Sequence, residues 1–217
     1  MITVYSIPGS PYGRAVLATC VEKSAAYRLQ PVTPGAHKQA EHLARHPFGR
    51  IPAIEDGDFK LYETQAIIRY IDAVYGAPRA LTPKDPKAEA RMNQVIGVID
   101  WYFFTDNSAA TLGFNRIVGP KLGFPVNEAA VAASLPATRH CIEVLAGFLA
   151  KSPYIADDSF SLADIHAGVQ LDLLAPAPEA AEMLKGTPIL AWLERLSARL
   201  SFATTTWERV AELAKAA

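Results

Sequence analysis

The stretch of residues 47–72 constrains the fold more than any other part of the chain. Its first part is extended, because the residue before Pro52 is disfavoured in helical backbone angles. A Glu-Asp-Gly-Asp turn then leads into a short alternating strand at 59–62. Helical spacing follows, on a face that carries Ile67, Ile68, Ile71 and Val74. The stretch therefore predicts a β-hairpin followed directly by an amphipathic helix.

Glu63 and Thr64 lie where the strand gives way to this helix. The first N–H groups of a helix have no partner within the helix and carry the positive end of its dipole. Such a position can bind an anion. We therefore expect a carboxylate or phosphate site at this junction.

The residues before this stretch predict a strand–helix–strand unit. A strand is expected over 2–7, a helix over 11–23 with Ser10 as its N-cap, and a second strand over 27–31. This order favours parallel pairing with a right-handed crossover. A loop with a short helix is expected over 34–45, which gives the order β-α-β-α-β-β-α up to residue 77.

A proline-rich linker follows, and everything after it has helical patterning. The first predicted helix, 88–104, has one apolar face, made of Met92, Val95, Ile96, Ile99 and Phe103. The next, 127–150, contains Pro136, which is expected to kink or split it. Further helices are expected over 188–200 and 203–215.

Ser161 and Asp164 form a variant of the capping box, with Asp in place of the usual Glu or Gln. This pair predicts the start of a buried helix, whose core positions are Ile165, Val169 and Leu173.

The 47–72 stretch resembles the glutathione-binding half of the cytosolic glutathione transferases, whose pattern runs N-P-x-G-x-[VI]-P-x-[LI], a hairpin, and E-[ST]-x-A-I. His46 stands where asparagine is usual, and Thr64 replaces the commoner serine. The Ser161–Asp164 sequence, S-L-A-D, is similar to the S-x-A-D folding signature of the family. The resemblance covers nearly the whole chain and points to a serine-type enzyme, phi- or theta-like or bacterial.

This resemblance implies an α/β plus all-α fold: an N-terminal thioredoxin-like domain (βαβαββα), then an all-helical C-terminal domain. The implied domains are 1–77, which binds glutathione, and 89–217, which shapes an electrophile pocket. Residues 78–88 are the linker between them. A two-fold homodimer is also implied.

The resemblance implies that Ser10 is the catalytic residue. Ser10-Pro11-Tyr12-Gly13 stands where a glutaredoxin carries C-P-Y-C, and the loss of both cysteines excludes dithiol exchange. In serine-type transferases, a serine four residues before an arginine donates a hydrogen bond to the glutathione sulfur, as Ser10 would before Arg14. Tyr5 is the main alternative, since other classes use a tyrosine at the end of the first strand.

The remaining site residues are also implied by the resemblance. His37 and Lys38 would meet the glycine carboxylate of glutathione, and Arg50 would add charge nearby. The backbone of Ile51, before a cis Pro52, would pair with the cysteinyl part. At the γ-glutamyl end, Glu63 would take the ammonium and Thr64 the carboxylate. The electrophile pocket would include Tyr12, Tyr102 and Phe103.

Composition excludes several function classes. The net charge of -1, without a cluster of basic residues, argues against a nucleic-acid partner. No apolar run reaches the roughly 18 residues of a membrane helix. The absence of a signal-like start and the two distant cysteines favour a cytoplasmic protein. His42 and His46 share a helical face, but no third ligand has metal spacing.

The sequence therefore predicts a glutathione S-transferase that activates the thiol of glutathione, its co-substrate, for attack on a small hydrophobic electrophile. No metal is expected. Two alternatives stay open: a non-catalytic glutathione-binding or assembly module of the same fold, and a glutathione-dependent reductase or dehalogenase.

Overall fold

The computed structural model describes residues 1–33, 35–76 and 80–216. These residues form two compact units, one made of 1–82 with the segment from 197 onward, the other of 83–196. Part of the predicted linker, residues 78–79, lies outside the described residues, as does Pro34 in the predicted loop.

The strands are β1 (Ile2–Ser6), β2 (Tyr27–Pro31), β3 (Ala53–Asp56) and β4 (Phe59–Tyr62). The helices are α1 (Pro11–Glu22), α2 (Ala40–Leu43), α3 (Thr64–Val74), α4 (Pro86–Val98), α5 (Ala109–Gly113), α6 (Gly119–Lys121), α7 (Glu128–Leu149), α8 (Leu162–Leu174), α9 (Pro178–Leu184), α10 (Pro188–Ser197), α11 (Leu200–Ala203) and α12 (Trp207–Ala216). A 3₁₀ turn (Ala36–Lys38) and two π-helical segments (Ile99–Phe103 and Phe114–Val118) complete the described elements.

The first unit is built on a four-stranded sheet with the order β2-β1-β3-β4. β1 and β2 are parallel, as predicted, while β3 pairs antiparallel with both β1 and β4. Gly57 turns the hairpin with a φ of 61°. This arrangement confirms the predicted thioredoxin-like α/β fold.

Helices α1 and α3 pack against each other beside the sheet. Ile67, Ile68 and Ile71 are fully buried, as the periodicity predicted. Val74, expected on the same face, is 54% exposed, because it is the last residue of α3.

The segment after residue 197 packs against α1 rather than with the other late helices. The Arg199 guanidinium donates to both carboxylate oxygens of Glu22 at 2.8 and 2.7 Å, and Ser201 Oγ donates to the same carboxylate. The predicted boundary at 89–217 therefore needs correction at its end, because the final helices belong to the first compact unit.

Within the described residues, the second unit contains helices joined by loops and no strand, which confirms the predicted all-α part. The apolar face predicted on the first helix is buried, and this helix changes to π-helical hydrogen bonding at Ile99. Of the kink or split predicted at Pro136, the split does not occur, because α7 continues through this residue. The short α9 was missed, since its seven residues are too few to show periodicity.

The capping box of the second unit is present at the start of α8. Asp164 is fully buried and accepts hydrogen bonds from the backbone N–H and hydroxyl of Ser161 at 2.9 and 3.0 Å. It also accepts from Ile155 N–H and from the indole N–H of Trp192, both at 2.9 Å. One carboxylate thus joins three separate segments of this unit.

None of the helices in the described residues is long and apolar enough to cross a membrane.

Candidate functional site

The predicted glutathione-binding segments all meet at one end of the sheet. β1 and β2 run parallel, so the chain leaves both of them at the same end. β3 starts at that end because Ala53 pairs with Tyr5, and β4 finishes there because Tyr62 pairs with Ala53. The segments that carry Ser10, the 36–38 turn, Ile51 and Glu63 follow or precede these strand ends.

Ser10 is the N-cap of α1, as predicted. Its Oγ accepts a hydrogen bond from Gly13 N–H at 3.2 Å. A hydroxyl has one donor as well as two acceptor lone pairs, so capping leaves its proton available. Ser10 is half-buried at the positive end of a twelve-residue helix. It can therefore cap the helix and donate to an anionic ligand atom at once.

The turn before Ser10 is held by the C-terminal segment. Ser10 N–H donates to Ile7 O at 3.0 Å, which closes a tight turn through Gly9, where φ is 88°. A Cβ at Gly9 would overlap the ring of Trp207. Arg14, on α1, lies over the Phe202 ring, 5.5 Å from its centroid. The C-terminal segment thus lies beside the predicted catalytic hydroxyl, a role that sequence patterning did not indicate.

Gly13 stands where a glutaredoxin has its second cysteine. A Cβ added at this position would overlap Ser6 Oγ and lie 2.8 Å from Ser6 Cβ. Ser6 is buried at the end of β1. The space for a second side chain at the start of α1 is therefore already filled.

The Tyr5 hydroxyl is engaged elsewhere. It donates to Glu55 Oε2 at 2.7 Å, and the Arg45 guanidinium lies 4.2 Å from the centre of the Tyr5 ring. Burial and the hydrogen bond to Glu55 raise the pKa of Tyr5. The same hydrogen bond, together with Arg45, lowers the pKa of Glu55. Because its single proton is held by a carboxylate, Tyr5 is poorly suited to donate to a sulfur.

His37 and Lys38 lie in the 3₁₀ turn that begins after Gly35. Lys38 is exposed and His37 half-buried. Burial, with Lys38 and His42 nearby, lowers the pKa of His37. The turn therefore presents the Lys38 ammonium beside an imidazole whose neutral form is favoured in the free protein.

The loop before β3 contains the predicted cis peptide bond between Ile51 and Pro52. Ile51 packs on the small core cluster of Tyr5, Val32 and Ala53. Arg50 is exposed. Its carbonyl oxygen is 2.6 Å from Nε2 of the buried His42, a contact that was not anticipated.

Glu63 precedes α3 with φ 68° and ψ 112°, a combination that non-glycine residues rarely adopt. Such strained backbone costs on the order of 1–3 kcal/mol and concentrates at functional sites. The Glu63 side chain is exposed, while Thr64, the first helical residue, is buried. This junction thus has a helix N-terminus and a hydroxyl, which suit an anion, beside a carboxylate, which suits an ammonium.

The predicted electrophile-pocket residues differ in exposure. Tyr12 is half-buried in the first unit, and Tyr102 is 66% exposed in the second. Phe103 is only 2% exposed, because its side chain lies on the buried face of the helix. We therefore remove Phe103 from the pocket and assign it to the core of the second unit.

The two cysteines are both buried, and burial raises the pKa of Cys20 to about 12. The thiol of Cys20 therefore stays protonated. Among the described residues, no group of three or more His, Cys, Asp or Glu side chains could hold a metal ion.

Comparison with known proteins identifies the family. Residues 4–79 match the model of the glutathione S-transferase N-terminal domain, and residues 94–199 match that of the C-terminal domain. A glutathione S-transferase of Hyoscyamus muticus is 34% identical over 88% of this chain and 90% of its own length. Glutathione S-transferase 3 of Zea mays is 34% identical over 94% of this chain and 92% of its own length.

Solved structures agree with these relatives. Glutathione transferase F7 from Populus trichocarpa superposes with a TM-score of 0.83, at 28% identity over 99% of both chains. A glutathione S-transferase III in its apo form gives 0.82, at 34% identity over 94% of both chains. These sequence relatives are plant proteins, so they give no support to a bacterial type. Both halves of the chain and the whole fold lead to one conclusion: this chain belongs to the glutathione S-transferase family.

Proposed function

We propose that this glutathione transferase activates the thiol of glutathione through a hydrogen bond from the Ser10 hydroxyl. The observation that carries the proposal is the contrast between two hydroxyls. Ser10 Oγ accepts from Gly13 N–H and keeps its proton for a ligand, whereas Tyr5 gives its proton to Glu55. A free thiol has a pKa of roughly 8.5, and a donor at a helix N-terminus lowers it toward neutrality.

The tripeptide is bound by its charged ends. Glu63 receives the γ-glutamyl ammonium, while Thr64 and the first N–H groups of α3 receive the carboxylate. His37 and Lys38 meet the glycine carboxylate, and Arg50 adds positive charge near the tripeptide. The backbone of Ile51, before Pro52, pairs with the cysteinyl part. This arrangement leaves the sulfur at the start of α1.

The sulfur of glutathione is the nucleophile, and Ser10 forms no covalent bond. The thiolate attacks a small hydrophobic electrophile that contacts Tyr12. We further propose that the enzyme acts in the cytoplasm as a homodimer. A cysteine-dependent reductase is disfavoured, because Cys20 is buried and its pKa is raised to about 12.

The test compares Ser10→Ala with Tyr5→Phe in the conjugation of glutathione to an aryl halide across pH. Loss of one well-placed donor lowers turnover by roughly 10²–10³-fold, and the apparent pKa of bound glutathione should rise in Ser10→Ala alone. Binding of S-hexylglutathione, whose sulfur is blocked, should change little. A wild-type pH–rate profile in Ser10→Ala would refute the proposal, and loss of turnover in Tyr5→Phe would transfer the role to Tyr5.

A further inference from the structure

We propose that His42 is a positioning residue that aims the backbone N–H of Ile51 at glutathione. The proposal rests on the proposed glutathione site. His42 lies on α2, is only 3% exposed, and is not one of the residues predicted to touch the ligand.

The contact that carries the inference is the 2.6 Å hydrogen bond between His42 Nε2 and the carbonyl oxygen of Arg50. A carbonyl oxygen can only accept, so the proton must be on Nε2, and His42 is the donor. Nδ1 of the same ring is buried and has no hydrogen-bond partner within the part of the chain that the structure describes. The geometry thus selects one tautomer of the imidazole.

Holding this oxygen also fixes the next N–H group. The Arg50 carbonyl and the Ile51 N–H belong to one planar peptide unit. The cis bond recorded in this loop is the following one, Ile51–Pro52, so the Arg50–Ile51 peptide is trans. In a trans peptide the C=O and N–H point in opposite directions. Because His42 holds the oxygen on its own side, the Ile51 N–H points away from α2.

The surrounding packing keeps His42 in place. The His46 ring is also buried, lies 6.4 Å from the His42 ring and contacts Tyr62, with a centroid distance of 4.7 Å. Gly49 packs so closely against the 36–38 turn that a Cβ there would lie 2.9 Å from the His37 oxygen. His42 thus holds the loop that carries Ile51 through Arg50, and Gly49 of the same loop packs against the turn that carries His37.

The test uses two substitutions that separate the hydrogen bond from the ring. His42→Phe keeps a flat buried ring but removes the donor, whereas His42→Gln keeps an N–H donor near the position of Nε2. His140→Phe, at an exposed position of α7, is the matched control. His42→Phe should raise the KM for glutathione by roughly three- to tenfold, the weight of about one net hydrogen bond. Turnover at saturation should stay near the wild-type value, because the lost interaction concerns binding.

His42→Gln should recover most of the affinity for glutathione. If His42 had a merely structural role, both variants would lose the same amount of affinity. An unchanged KM in His42→Phe, or equal impairment of His42→Gln, would overturn the inference. Nitrogen-15 spectra of the ligand-free protein give an independent check: protonation of Nδ1 rather than Nε2 in His42 would also overturn it. If wild-type protein fails to bind glutathione while His42 has the Nε2–H tautomer, the fault lies with the proposed function.

Discussion

Replacement of Asp164 by alanine should destabilise the second unit strongly. The fully buried carboxylate accepts four hydrogen bonds, from Ile155 N–H, from the N–H and hydroxyl of Ser161, and from the Trp192 indole. Each buried donor left without a partner costs about 1–3 kcal/mol. If these costs simply added, the loss of all four partners would lower the free energy of unfolding by several kcal/mol.

An opposing effect reduces this sum. Burial raises the pKa of Asp164 in spite of its four donors, which means that the ionised side chain is costly to bury. Removing it recovers part of that cost, and water entering the vacated space can satisfy some donors. We therefore expect a net loss of about 3–5 kcal/mol, at the upper end of what single substitutions do. Ser161→Ala, which removes one hydroxyl, should cost only about 0.5–2 kcal/mol.

The assay is urea unfolding followed by circular dichroism, with Asp158→Ala, at an exposed position, as the matched control. The substitution should lower the free energy of unfolding before it affects the KM for glutathione, because the proposed glutathione residues all lie in the other unit. Surface substitutions usually change the free energy of unfolding by no more than about 0.5 kcal/mol. If the free energy of unfolding of Asp164→Ala lies within this range of the control, the four contacts do not hold this unit together.

Three further predictions concern the glutathione site. Glu63→Ala should weaken glutathione binding by roughly 2–5 kcal/mol through loss of the partner for the ammonium, and unchanged affinity by calorimetry in a folded protein would refute that role. The pKa of His37 is lowered in the free protein, and a bound carboxylate favours its protonated form, so binding takes up protons. S-hexylglutathione should therefore bind more tightly as the pH falls from 8 to 6. The same dependence of affinity on pH in His37→Gln would contradict this. Gly9→Ala should lower turnover more than Gly57→Ala, because both have positive φ but only a Cβ at Gly9 meets Trp207; equal effects would exclude a role for that contact.

Local signals explain why the first part of the fold could be predicted. The hairpin and α3 depend on Pro52, Gly57 and a run of isoleucines, all of which act within a few residues. The start of β3 was less predictable. Extended backbone is predicted from Ile51 onward, but the strand begins at Ala53, because the pairing with β1 starts opposite Tyr5.

Long-range contacts account for most of what the sequence did not indicate. Helical periodicity shows that the last segment is helical but not what it packs against, and the ion pair between Glu22 and Arg199 spans most of the chain. The choice between Ser10 and Tyr5 likewise depends on Glu55, which is remote in sequence from both. The sequence shows only that His42 and His46 share a helical face without a third metal ligand. The hydrogen bond from His42 to a backbone carbonyl could not be predicted, because any residue type can supply that carbonyl.

The tight fit between Gly13 and Ser6 limits which new chemistries could arise at the start of α1. Ser10→Cys would place a single thiol at the helix start by one substitution, without disturbing this contact. A cysteine pair would in addition need a side chain at position 13, which overlaps Ser6 Oγ and lies 2.8 Å from its Cβ, so even alanine at position 6 would be too large. Three coordinated changes, at 6, 10 and 13, separate this chain from two-thiol redox chemistry. One-thiol chemistry is a single step away.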